Sequence, residues 1–156
     1  MVALWSFGPT TIALFGPAAF AALWVSAGVV GGAIPLAWQA YREREQQARL
    51  QPAAAAAPAD AKVVQYEGAV GASAAILGFV SAQACLLPMM ELYVFPVPVA
   101  VPAWVGLGGF AAWSAAAALY GWMPGWGHSA HLGGMGVGVV AYLVVLRRRF
   151  RGLRVR

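Results

Sequence analysis

Few side chains in this sequence can do chemistry near neutral pH, and they stand close to the starts of apolar runs. There are two histidines, His128 and His131, and a neutral imidazole is the usual general base in that pH range. His131 is the fourth residue of one apolar run, and Ser73 is the fifth of another. A serine hydroxyl is a weak nucleophile until a base takes its proton. Together the two offer acyl transfer by a Ser–His dyad. No Asp or Glu occurs in either run, so a third triad member is missing. The i, i+3 spacing of His128 and His131 also suits a metal, but no cysteine or carboxylate stands nearby to complete a zinc shell. His128 is read as an interfacial residue or one that backs His131.

The residues flanking Ser73 bear on the same chemistry. Backbone N–H groups near a helix start, here those around Gly71, Ala72 and Ala74, can stabilise an oxyanion together with the helix dipole. Gly71 would let a substrate carbonyl come close to the backbone.

Something must hold these residues, and composition says what. Hydrophobic residues make up 62% of the 156 residues and charged residues 10%, against about 45–50% and about 25% in soluble domains. A soluble core of this size cannot hide so much apolar surface, whereas a bilayer can. The balance excludes a soluble enzyme and a disordered chain, and the single Cys85 excludes a disulfide scaffold. A helix needs about 20 apolar residues to cross about 30 Å of hydrocarbon. Four stretches serve: residues 18–38, 69–87, 101–122 and 128–146, none with a charged side chain. Residues 1–15 are apolar but too short, and Gly8-Pro9 is expected to break them. The fold class is therefore all-α, a polytopic transmembrane bundle of four full spans plus a partial N-terminal helix.

Gly16-Pro17 marks a tight turn, and residues 122–127 mark a short Gly/Pro/Trp turn with rings at headgroup depth. Residues 39–67 are long and Ala/Pro-rich, and read as a mobile loop with a helical first part. Residues 88–102 hold four prolines and are expected to be extended or kinked. Alternation of the spans puts 39–67 and 122–127 on one face. The C-terminal arginines (147, 148, 149, 151, 154 and 156) fall on the other, cytoplasm-like face, where they meet anionic lipid rather than nucleic acid.

Topology makes Ser73 and His131 a pair. Their spans run in the same direction, and each residue lies about 6–8 Å below the same face at 1.5 Å per residue. Gly127, His131, Gly134 and Gly138 fall within about 60° on a helical wheel, so His131 rides a small-residue seam along which Gly134 and Gly138 pack helices. Ser73 lies about 200° from Gly71 and off the Gly71/Ala75/Gly78 edge. Of the other polar residues in spans, Ser26, Ser81 and Ser114 should bond their own helix carbonyls, and Gln83 should bond another helix.

These residues resemble the rhomboid family of intramembrane serine proteases. That family carries Gly-x-Ser-Gly in its fourth core helix, here Gly71-Ala72-Ser73-Ala74, and Ala-His-x-x-Gly-x-x-x-Gly in its sixth, here running from Ala130-His131 through Gly134 to Gly138. His128-Ser129-Ala130-His131-Leu132-Gly133-Gly134, Leu4-Trp5-Ser6-Phe7 and Val25-Ser26-Ala27-Gly28-Val29 resemble the mitochondrial branch. The resemblance implies that residues 1–146 form a rhomboid-like transmembrane domain, followed by a basic tail at 147–156. It makes Ser73 the nucleophile and His131 the general base, with the site opening on the face of residues 39–67. Transmembrane protein substrates and the lipid bilayer are the implied partners, the mitochondrial inner membrane the implied location, and no cofactor or metal is implied. Two departures are visible: the chain starts after the family's first helix and its His-x-x-x-Asn pair, and Ala74 stands where the family has glycine. The alternative from another class is an inactive relative that binds transmembrane clients without cutting them. A transporter would want charged groups at the midplane, which these spans lack.

Overall fold

In a computed structural model of the chain, residues 2–50, 72–93, 99–123 and 126–147 are described. The first helix, α1 (Val2–Phe15), stops at Gly16, whose φ of 89° is open to glycine and strained for other residues. Pro17 then begins α2 (Pro17–Leu50), a position where its missing N–H costs nothing. Contrary to expectation, Gly8-Pro9 does not break α1. Pro9 removes one backbone hydrogen bond, that to the Trp5 carbonyl, and side-chain bonds are made in the turn that follows. The Thr11 hydroxyl donates to the Phe7 carbonyl at 2.7 Å, and the Gln83 amide donates to the same carbonyl at 3.1 Å and to Thr11 Oγ1 at 2.6 Å.

The helix that carries Gln83, α3 (Ala72–Leu86), lies innermost: Ala74, Ala75 and all residues from Gly78 to Ala84 are buried. Its described part begins at Ala72, and the residues before it lie outside the described ones. Among the described residues three helices are long and apolar enough to cross a membrane, running over Pro17–Glu45, Ala103–Tyr120 and His128–Val145. The fourth stretch expected from sequence, residues 69–87, contains α3, and its first residues lie outside the described ones. Phe79 anchors the core, stacked on Phe20 at 4.7 Å and on Trp24 at 5.6 Å between ring centroids, over buried Phe15 and Leu23.

Pro88 ends the run after α3. The chain turns and forms a small antiparallel ribbon, β1 (Glu91–Tyr93) with β2 (Ala100–Pro102), in which Leu92 pairs with Val101. The described strands on either side of residues 94–98 are extended, as the composition implies, and residues 94–98 lie outside the described ones. Helix α4 (Ala103–Tyr120) follows and ends at Gly121, left-handed at φ 69°. Helix α5 (His128–Ala141) starts from Gly127, also left-handed at φ 62°, and continues as a wider π turn over Tyr142–Leu146. Ser26 and Ser81 bond their own helix carbonyls at 2.6 and 2.7 Å. Ser114 does not: its hydroxyl is buried on α4 without a partner. Exposed Val25, Val29, Leu36, Trp104, Leu119, Val140 and Val144 give the bundle an apolar outer surface suited to lipid. Residues 51–71, including Gly71 and most of the long loop, lie outside the described residues, as does the arginine tail beyond Arg147.

Candidate active site

Helices α3 and α5 are packed backbone against backbone. A Cβ at Gly134 would overlap the carbonyl of Ala74, and one at Gly138 would overlap the carbonyl of Gly78. The contacts advance by four residues on both helices, so the two run parallel in a fixed register. His131 lies one turn before Gly134, and Ser73 directly precedes Ala74. The seam therefore carries the two side chains to each other, with Ser73 Oγ 3.2 Å from His131 Nε2. That is within reach for proton transfer in a resting site. When the proton of the neutral ring sits on Nδ1, the hydroxyl donates to Nε2.

Ser73 is exposed in the first described turn of α3, while His131 is half-buried. Ala72 is exposed beside the serine. Ala74 is buried, and its methyl points at α2: a Cβ on Gly31 would come 2.5 Å from Ala74 Cβ. The methyl found in place of the family glycine is thus accommodated by an absent side chain on α2. It crowds neither Ser73 nor His131. Gly133 meets α2 as well, where an added Cβ would come 3.2 Å from the Gly31 Cα and 3.3 Å from the Val30 carbonyl.

Sequence reasoning did not find two of the neighbours. Phe110 of α4 packs on the His131 ring, with centroids 5.5 Å apart and planes tilted by 45°. No spacing signal marks it, since α4 is apolar on every side. Arg42, on the extended end of α2, donates to the Ala118 and Leu119 carbonyls at 3.3 and 3.1 Å, and its guanidinium lies 5.5 Å from the Trp38 ring centroid. These carbonyls belong to the last turn of α4, where a cation complements the helix dipole. The bond also sets the end of α2 beside the end of α4, on the face from which α5 starts. His128 is buried under Trp126, their rings 6.5 Å apart and 14° from parallel.

Among the described residues no cluster of His, Cys, Asp and Glu is arranged to hold a metal. An apolar surface hollow of about 480 Å³ between α2 and α5, lined by Val30, Ile34, Leu132 and Val140 among others, includes neither Ser73 nor His131.

Comparison with known proteins gives a consistent result. The family model described as the rhomboid domain matches residues 1–148. The chain is 29% identical over 140 residues to "Rhomboid protein 1, mitochondrial" of Saccharomyces cerevisiae, an alignment covering 90% of this chain and 35% of that protein. The chain therefore spans about a third of that relative's length. No solved structure gives a significant match.

Proposed function

The chain belongs to the rhomboid family, as a membrane protein of the mitochondrial type, and from that premise we propose that it is an intramembrane serine endopeptidase cutting transmembrane segments with a Ser73–His131 dyad. The observation that carries the reading is the 3.2 Å separation of Ser73 Oγ and His131 Nε2 on two parallel, tightly packed helices. Residues 1–146 are the membrane domain of this reading and 147–156 its basic tail, with the mitochondrial inner membrane as location.

The chemistry follows from the geometry. Ser73 Oγ attacks the scissile carbonyl as its proton passes to His131 Nε2. In this reading the backbone N–H groups around Ser73, those of Gly71, Ala72 and Ala74, take the negative charge of the tetrahedral oxygen. The protonated imidazole then gives its proton to the leaving amine, leaving an acyl-serine. A water that loses a proton to His131 attacks this ester, and the second tetrahedral species collapses as His131 returns that proton to Ser73 Oγ, releasing the free acid and restoring the dyad. Nothing in the cycle requires a cofactor.

The test is labelling by a fluorophosphonate in detergent or liposomes. Labelling should be lost in Ser73→Ala, and should fall by about 10²–10⁴ in His131→Ala. Labelling that persists in Ser73→Ala overturns the dyad.

A further inference from the structure

Among the described residues three ring nitrogens are buried without a hydrogen-bond partner: Nδ1 and Nε2 of His128, and Nδ1 of His131. Only 5% of the His128 surface is exposed. A buried polar group left unpaired is costly, and native proteins rarely tolerate it without a reason. These three belong to two residues spaced i, i+3 on α5, which puts both rings on one side of the helix. The rings meet edge to face, with centroids 6.4 Å apart at 90°. His128 is also fixed from its other side by the stack on Trp126.

The dyad makes one demand on this arrangement. For Nε2 of His131 to accept the Ser73 proton, the single proton of the neutral ring must sit on Nδ1. An Nδ1–H in a buried position needs an acceptor. In a triad a carboxylate fills that role. Neither α3, α4 nor α5 contains an Asp or Glu.

We propose that His128 is the positioning residue for His131. One buried water accepts from His131 Nδ1–H and donates to the unprotonated nitrogen of the His128 ring. The centroid separation is too long for a direct hydrogen bond and suits one bridging water. His128 thereby selects the tautomer that leaves Nε2 free for Ser73, and it holds the ring plane without carrying charge. It does not touch the substrate. The proposal rests on the reading of Ser73 and His131 as a dyad.

The experiment uses the whole chain in detergent. Fluorophosphonate labelling rates are compared for the wild type, Ser73→Ala, His128→Gln and His128→Phe. Phenylalanine keeps the stack on Trp126 and deletes both nitrogens, whereas glutamine keeps an acceptor. The rate should fall about tenfold or more in His128→Phe, short of the roughly 10²–10⁴ lost with the base itself. His128→Gln should recover at least about a third of the wild-type rate if an acceptor is what the position supplies. Equal rates in His128→Phe and the wild type overturn the proposal. So does a His128→Gln variant as slow as His128→Phe while melting like the wild type. A second readout needs no variant of His128. Nitrogen-15 shifts of the imidazoles, assigned with His131→Gln, should show the Nδ1–H tautomer for His131 in the wild type, and an Nε2–H tautomer overturns the proposal even if His128→Phe does not fold. A wild type without Ser73-dependent labelling instead defeats the dyad reading, and is told apart from the other failures by that control.

Discussion

The α3–α5 seam and helix α4 are held in opposite ways. At the seam, glycines bring two backbones into contact, and the residues facing each other have no freedom to shift. Helix α4 buries only Ala103, Ser114 and Ala117, while Trp104, Val105, Trp113, Leu119 and Tyr120 face outward. Its ends are tied by hydrogen bonds. At one end the Ala103 N–H donates to the Met90 carbonyl at 2.7 Å and the Trp104 N–H to the Pro88 carbonyl at 3.2 Å. At the other, Arg42 takes the last carbonyls. The reacting groups thus sit on the stiff pair, and the helix that covers His131 through Phe110 is the loose one. A site that must hold two atoms within a few tenths of an ångström, and still admit a chain segment, gains from that division.

The largest effect should come from wedging the seam open. In Gly138→Val the new side chain meets the Gly78 backbone, which cannot give way, so unfolding in detergent should come about 3 kcal/mol or more earlier, with Ser73-dependent labelling lost. A variant that folds and labels normally would show that the seam is softer than its geometry. Next is Gly31→Ala, whose methyl would meet that of Ala74 and should cost about 1–3 kcal/mol. Moving the methyl across, in Gly31→Ala with Ala74→Gly, should recover much of that loss, and a double-mutant cycle should show coupling of about 0.5–3 kcal/mol. Ala74→Gly alone should leave the labelling rate unchanged, because the methyl points at α2. A changed rate would bring the Ala74 methyl, and not just its backbone, into the site.

On the loose side the signs change. Ser114→Ala removes a buried hydroxyl without a partner, so it should be neutral or stabilising by up to about 1 kcal/mol in thermal melting. A clear destabilisation would mean that Ser114 has a bond that this structure does not contain. The smallest global effect should belong to Arg42→Ala, whose hydrogen bonds are exposed. Amide exchange should quicken in the last turn of α4 with no change at α3 or α5. Exchange that quickens in all three helices would erase the distinction between the regions.

The nearness of Ser73 and His131 was legible because depth in a membrane helix is a count of residues from the interface, and two parallel spans share that count. The seam was legible for a similar reason. Small residues at i, i+3, i+4 and i+7 can mark a face that another helix approaches, and Gly134 and Gly138 do so here. What escaped depends on groups far away in sequence. Pro9 is a local breaker, and the bonds that Gln83 of α3 makes to Phe7 and Thr11 beside it come from more than seventy residues later. The direction of the Ala74 methyl is set by Gly31 on another helix, and Phe110 is one apolar residue among many on α4. Ser114 looked like any helix serine, yet it has not turned back onto its own carbonyl.

The 34 residues of α2 extend about 51 Å at 1.5 Å per residue, against about 30 Å of hydrocarbon. A helix of that length exceeds the hydrocarbon, and its charged end lies on the side where Arg42 grips α4. It works as a mast: a probe fixed at exposed Arg44 would ride in water, about 20 Å by the same rise from the turn where Gly31 meets Ala74. A few degrees of tilt at that notch would be magnified at the tip, so rearrangements around the dyad could be followed by a reporter that never enters the membrane.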